Sequence, residues 1–181
     1  MLVQDLRHMT SAWDAPGWKV LARALLHSPF YPALRAIMLV RGSMWAYAHG
    51  LAPVAHFLKA RAVRAAGVEV HPGATIGPGF AIAHGIGTVV GRDVIAGRDL
   101  VLHQGVTIGN AGSKPGQPVL GDRVRIGAGA KVLGPVMVGD GARIGANSVV
   151  LADVPARRTV TGVWDSAALS TALGSPSDAG D

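Results

Sequence analysis

From Val70 onward the chain sets an aliphatic or β-branched residue at every sixth position. The series runs Val70, Ile76, Ile82, Thr88, Val94, Leu100 and Val106, and resumes as Leu120, Ile126, Val132, Val138, Ile144 and Val150. Glycine or another small residue follows repeatedly, as in "IGPGFA", "IGAGAK", "VGDGAR" and "IGANSV". A helix repeats every 3.6 residues and a strand every two, so neither accounts for this pattern. A step of six is the signature of a hexapeptide β-helix, in which each hexad supplies one short strand and one tight turn. Three hexads close a coil of about 18 residues. The aliphatic side chain points into the prism, and small residues let the backbone turn at the corners. Successive coils then stack about 4.8 Å apart. The fold class expected is mostly β, a parallel β-helix over residues 67–163.

The step from Val106 to Leu120 is fourteen residues, too long for one regular turn. The segment "GNAGSKPGQPV", residues 109–119, is therefore expected to leave the prism as an extended loop, where solenoids commonly carry function. Two nucleotide-binding readings fall away. "GIGTVVG" is one residue too long for the dinucleotide fingerprint and lacks a surrounding βαβ unit, and "GAGAKVLG" lacks the ending of a phosphate loop.

The N-terminal segment, residues 1–66, differs in character, with helical patterning over residues 12–66. "WKVLARALLH" and "WAYAHGLAPVAHFLKARAVRAA" carry helical patterning, broken by Pro29, Pro32 and Pro53. Two or three short helices are expected there. Their apolar faces, with Arg and Lys opposite, suit packing against the rest of the protein better than a membrane surface. Residues 164–181, rich in Ser, Ala, Gly and Asp, read as a flexible tail.

Composition narrows the chemistry. Hydrophobic residues make up 49% and charged residues 15%, which argues against a disordered chain. The absence of cysteine excludes disulfides, cysteine zinc sites and a thiol nucleophile, and fits a cytoplasmic location. The first residues, "MLVQDLRHMTSAWDAP", lack the apolar core of a signal peptide. A net charge of +6 favours an anionic partner. Nucleic acid is disfavoured, because Lys and Arg are scattered and no aromatic residues interleave with them in a binding motif.

The segments "VEVHPGATIG", "IAHGIGTVVG", "HQGVTIGN", "IGAGAKVLG" and "IGANSVVLADVP" resemble the serine acetyltransferase group of hexapeptide acyltransferases. The resemblance covers about half the chain, Val68–Gly162. It implies a left-handed β-helix, a homotrimer with sites between adjacent subunits, and acetyl-CoA as donor. It also implies that His84 is the general base on an acceptor hydroxyl and that Glu69 orients it. Chemistry agrees with those roles, since a hydroxyl attacks a thioester poorly until its proton is removed. A carboxylate on the far ring nitrogen would fix the tautomer. Ala128 and Ala146 match positions along which the pantetheine arm runs in that group. Gly109 and Asn110 match the place of the thioester, and Lys131 and Arg143 are candidates for the nucleotide phosphates. His71 reads as structural. His103, Gln104 and Gln117 are candidates for the acceptor pocket. The histidines lack the acidic cluster and close spacing of a metal site, so no metal is expected.

Three departures from the group matter, and all concern the acceptor. Its aspartate before the catalytic histidine is Ala83 here, its Arg-His pair aligns with Gly116 and Gln117, and an aspartate of its helical region aligns with Tyr31. Loss of those charged contacts weakens the hold on a zwitterion such as serine, at about 1.5–3 kcal/mol each. In this respect the chain, with its start "MLVQDLR", is more similar to exopolysaccharide O-acetyltransferases of the colanic-acid type. The acceptor expected is a sugar or another small-molecule hydroxyl. Serine itself, and a non-catalytic scaffold that kept only the prism, stay open as alternatives.

Overall fold

A computed structural model describes residues 1–10, 14–28, 30–112 and 115–173. Four helices precede the prism: α1 (Leu2–Thr10), α2 (Gly17–His27), α3 (Pro32–Ala48) and α4 (Ala52–Ala66). Three of them lie within residues 12–66, where two or three were expected; α1 comes in addition. Pro32 and Pro53 start helices rather than break them, because a proline in the first turn gives up no intrahelical bond. Pro29 lies outside the described residues. α4 stops at Gly67, whose φ of 63° forms a left-handed cap with its N–H on the Val63 carbonyl.

The strands then follow in chain order. They are β1 (Val68–Val70), β2 (Thr75–Ile76), β3 (Ala81–Ala83), β4 (Thr88–Val90), β5 (Ile95–Ala96), β6 (Val101–His103) and β7 (Thr107–Gly109). After the loop come β8 (Val119–Leu120), β9 (Arg125–Ile126), β10 (Lys131–Leu133), β11 (Met137–Val138), β12 (Arg143–Ile144), β13 (Val149–Val150), β14 (Thr159–Val160) and β15 (Val163–Trp164). Every third strand stacks in parallel, giving three sheets: β1-β4-β7-β10-β13-β15, β2-β5-β8-β11 and β3-β6-β9-β12-β14. The architecture is the parallel β-helix that the six-residue step demands.

Register adds what the step alone conceals. Val89 pairs with Thr107, Val119 with Met137 and Arg125 with Arg143, so these coils are 18 residues long. Val70 pairs with Val90, however, making the first coil 20 residues, and Ile95 pairs with Val119, making the loop-bearing coil 24. Each strand buries two side chains, two residues apart, as in Ala74/Ile76, Phe80/Ile82, Val94/Ala96 and Leu100/Leu102. The six-residue series therefore slips at Thr88 from the second inward column to the first. Thr88 stacks on Val68 and shares the first column with Val94, and Val90 is the true successor of Ile82.

The C-terminal expectation is corrected as well. Trp164 is buried at the end of the prism, with Nε1 donating to the Asp153 carbonyl at 3.0 Å. Asp165 caps a further helix, α5 (Ser166–Leu173), by accepting the Ala168 N–H at 2.9 Å. Ser and Ala here signal a capped helix, not a tail; residues 174–181 lie outside the described part.

One buried ion pair fastens the helices to the prism. Asp5 of α1 is fully buried, and its Oδ1 accepts the N–H groups of Gly79 and Phe80 at 2.8 and 2.9 Å. Arg41 of α3 donates Nε to Asp5 Oδ2 at 2.6 Å and reaches the Ile76 and Gly77 carbonyls, each at 2.6 Å. Neither charge has water to fall back on. Asp5→Ala would strand the guanidinium, and should cost about 3–5 kcal/mol, read as a fall in the urea midpoint at unchanged slope.

α2 is an exception to the expected packing. It turns Val20 and Ala24 inward but leaves Trp18, Leu21, Leu25 and Leu26 exposed. No described helix is long and apolar enough to cross a membrane.

Candidate active site

The corner joining the third sheet to the first holds the site. There the coils are stitched by one bond each: Gly87 N–H to Gly67 O at 3.0 Å, Gly105 to Ile86 at 2.9 Å, Gly129 to Gln104 at 2.8 Å and Asn147 to Ala128 at 2.7 Å. The residue just before each donor therefore forms a column along the prism axis: Ile86, Gln104, Ala128, Ala146. Ala83 pairs with His103, and one residue, Gln104, separates His103 from Gly105. Between Ala83 and Gly87 there are three: His84, Gly85 and Ile86. The two residues that lengthen the first coil are thus His84 and Gly85.

That insertion explains the histidine's surroundings. A regular corner would keep the chain in column, whereas two surplus residues must bulge outward. His84 is exposed, with φ at 61°, and its ring makes no hydrogen bond among the described residues. Gly85 is buried beneath it, and a Cβ there would meet the Val68 side chain and the Ala66 carbonyl. The glycine is what lets the bulge sit down on α4 and β1.

Glu69 stands on β1, pointing outward. Its Oε1 accepts from Lys59 of α4 at 2.8 Å, and 48% of its side chain is exposed. No bond joins it to His84 among the described residues, so the orienting contact expected from the resemblance is not made in this arrangement. Lys59 offers a closer cation, and among the described residues only Oε2 is left without a partner.

His103 is half-buried, on the strand adjacent to Ala83. Its Nδ1 lies 3.1 Å from the Ile126 carbonyl, which can only accept. A ring proton therefore sits on Nδ1. His71 is the reverse, since Nδ1 accepts the Gly73 N–H at 3.0 Å. Its pKa is lowered by partial burial, and further by Arg92, Lys59 and His56, so the ring is neutral and serves the turn.

Ala128 and Ala146 lie on the same corner as His84. Being small, they leave the column's outer surface open above Ile86 and Gln104. Lys131, at the start of β10, donates to the Gly105 carbonyl at 2.6 Å and to Thr107 Oγ1 at 3.1 Å, which holds its charge beside this column. Gly109, Asn110 and Gln117 do not join them. They belong to the next corner, across the first sheet, where β7 gives way to the loop. Asn110 spends its side-chain oxygen on the Gly112 N–H, and Gln117 is packed against Gly91 with Oε1 buried and unpaired.

On the third sheet Arg143, a candidate for the nucleotide phosphates, stands among cations that were not anticipated and apart from the alanine column. Arg125 and Arg143 stand one above the other in register and exposed, with Arg123 beside them. With Gln4, His8 and the carboxylate of Asp99 they line a groove of about 510 Å³, and no ion pair engages the three arginines among the described residues. The sequence signal was available in "DRVRIG" and "ARIG", one coil apart.

The repeats of residues 117–152 match the family described as Bacterial transferase hexapeptide (six repeats). No curated protein matches the chain. Among solved structures, serine acetyltransferase from Brucella abortus is 32% identical with a TM-score of 0.76, over 90% of this chain and 64% of that one. Serine acetyltransferase from Neisseria gonorrhoeae in complex with serine gives 33%, 0.75, 90% and 65%. A serine acetyltransferase in complex with CoA gives 33%, 0.72, 88% and 63%. The chain thus spans less than two thirds of the length of these enzymes.

The insertion can be tested directly. Deleting His84 and Gly85 together restores an 18-residue coil, so the protein should fold with unchanged circular dichroism and a stability within about 1 kcal/mol. Any acyl transfer that depends on the corner should be lost with them.

Proposed function

We propose that this chain is an acyl-CoA O-acyltransferase that moves an acetyl group from acetyl-CoA to a hydroxyl acceptor, as a homotrimer. The observation that carries the proposal is a histidine placed by a two-residue insertion at the foot of a column that continues through the small residues Ala128 and Ala146. The likeness to serine acetyltransferases, one of them a CoA complex, supports the donor. The pantetheine arm would lie along Ala128 and Ala146, with Lys131 beside it.

The reaction asks three things of these residues. The neutral His84 ring takes the acceptor proton as its oxygen attacks the thioester carbonyl. Main-chain N–H groups near Gly109 and Asn110, brought from the loop corner of a neighbouring copy, face the oxyanion. When the tetrahedral centre collapses, the C–S bond breaks and the imidazolium returns its proton to the leaving thiolate. Glu69, turned through Oε2 toward the ring, would stabilise that imidazolium.

The acceptor we favour is a sugar hydroxyl. Ala83, Gly116 and Gln117 replace the charged groups that suit a zwitterion, while His103, Gln104 and Gln117 offer polar contacts. The unpaired Arg123, Arg125 and Arg143 on the sheet that carries His103 suit an acceptor with carboxylates or phosphates. L-serine is the second reading, favoured by the serine complex of a similar enzyme. A thiol-release assay with acetyl-CoA, offered serine, neutral oligosaccharides and acidic oligosaccharides in turn, separates them. Turnover with an acidic oligosaccharide above serine supports the first reading; saturable turnover with serine alone overturns it. No turnover with any acceptor, together with no CoA binding by calorimetry, returns the chain to a scaffold.

Replacing His84 by Ala should lower kcat about 10²–10⁴-fold with the fold retained. Glu69→Gln should lower it less. Without the carboxylate the imidazolium is less stable, so the acidic limb of the pH–rate profile should move to lower pH. An unmoved limb would show that Glu69 belongs to Lys59 alone.

A further inference from the structure

The outer face of α2 has no partner, and its residues are unusual for a surface. At 3.6 residues per turn, Leu21, Leu25, Trp18 and Leu26 fall within an arc of about 140°, roughly opposite the buried Val20 and Ala24. They are 37, 56, 69 and 73% exposed. Phe30 and Tyr31, just past the helix, are 80 and 58% exposed. Lys19 and Arg23 flank one edge of the arc and are themselves exposed. α2 is therefore apolar on both sides, with a narrow inner stripe for the protein and a wider outer one.

Charge identifies what covers the outer stripe. Residues 15–68 hold seven of the 17 Lys and Arg and none of the 11 Asp and Glu. A two-fold contact with a second copy sets each face against itself. Lys19 and Arg23 would then meet their own like, with no carboxylate in α2 or between residues 15 and 68 to neutralise them. A bilayer with anionic headgroups supplies both halves of the match. Leucines and Trp18 enter the boundary between headgroups and acyl chains, while Lys19 and Arg23 meet lipid phosphates. The helix has 11 residues, enough to lie in the interface and far too few to span it.

We infer that α2 is a peripheral docking helix that seats the protein on an anionic membrane surface through Trp18, Leu21, Leu25 and Leu26.

The test uses the full chain and sedimentation with large vesicles, either pure phosphatidylcholine or an equal mixture with phosphatidylglycerol. The protein should pellet with the mixed vesicles and remain in solution with the neutral ones. Leu25→Glu combined with Leu26→Glu should weaken that partition at least about tenfold, and Lys19→Gln with Arg23→Gln by a comparable factor. All four side chains are exposed, so circular dichroism and elution volume should match the parent. Failure to pellet with mixed vesicles overturns the inference, as does pelleting that neither pair of substitutions weakens. A parent that ignores vesicles but becomes a smaller particle on Leu25→Glu/Leu26→Glu would mean that a second copy covers the face. None of these readouts depends on catalysis, so the docking and the proposed reaction stand or fall separately.

Discussion

Stacked coils must keep residue over residue, because each N–H donates to a carbonyl on the neighbouring coil and a slip of one would turn every inward side chain outward. Most of the prism's features follow from that constraint. A coil with surplus residues cannot spread them along its strands; it must expel them at a corner. The chain does so twice. His84 and Gly85 leave at one corner, and the segment between Gly109 and Val119 leaves at the next. The proposed base and the loop both lie where the ladder is broken.

The prism alone leaves its first coil unpaired, with edge groups that invite association. The helices close that end. Asp5 satisfies the amides of Gly79 and Phe80, and Arg41 satisfies the carbonyls of Ile76 and Gly77, all on the first coil. Each charge compensates the other while both compensate backbone. That economy explains why an aspartate near the chain start is fully buried. Gly67 works to the same end from α4: its left-handed turn brings β1 under the His84 bulge, and a Cβ at Gly67 would press on the Ile86 backbone at 3.1 Å.

The β-helix was legible because its repeat is long and redundant. Two inward residues per strand gave so strong a periodic signal that the six-residue series survived a register shift. The same redundancy hid the shift. Thr88 occupies an inward place just as Val90 does, so the count from Ile82 continued unbroken across the two inserted residues. Pairing the inward residues as Phe80/Ile82 and Thr88/Val90 exposes the difference. The ion pair of Asp5 and Arg41 was not legible, for those residues are 36 positions apart with no local pattern to link them. Likewise the resemblance implied that Glu69 orients His84, but it carries no information about Lys59, which arrives from a helix and takes Oε1.

The division of the site between two corners constrains the assembly. Within one chain, Ala128, Ala146, Lys131 and His84 share the corner where the third sheet meets the first. Gly109, Asn110 and Gln117 stand across the width of the first sheet. A rigid, close-packed prism cannot fold one corner onto the other. A donor held along the alanines can meet amides of the loop only if a neighbouring copy presents its loop corner to this one. Oligomerisation would then be part of the chemistry rather than an addition to stability. The unpaired Oε1 of Gln117 and the open ring of His84 are the groups that such a neighbour would be expected to satisfy.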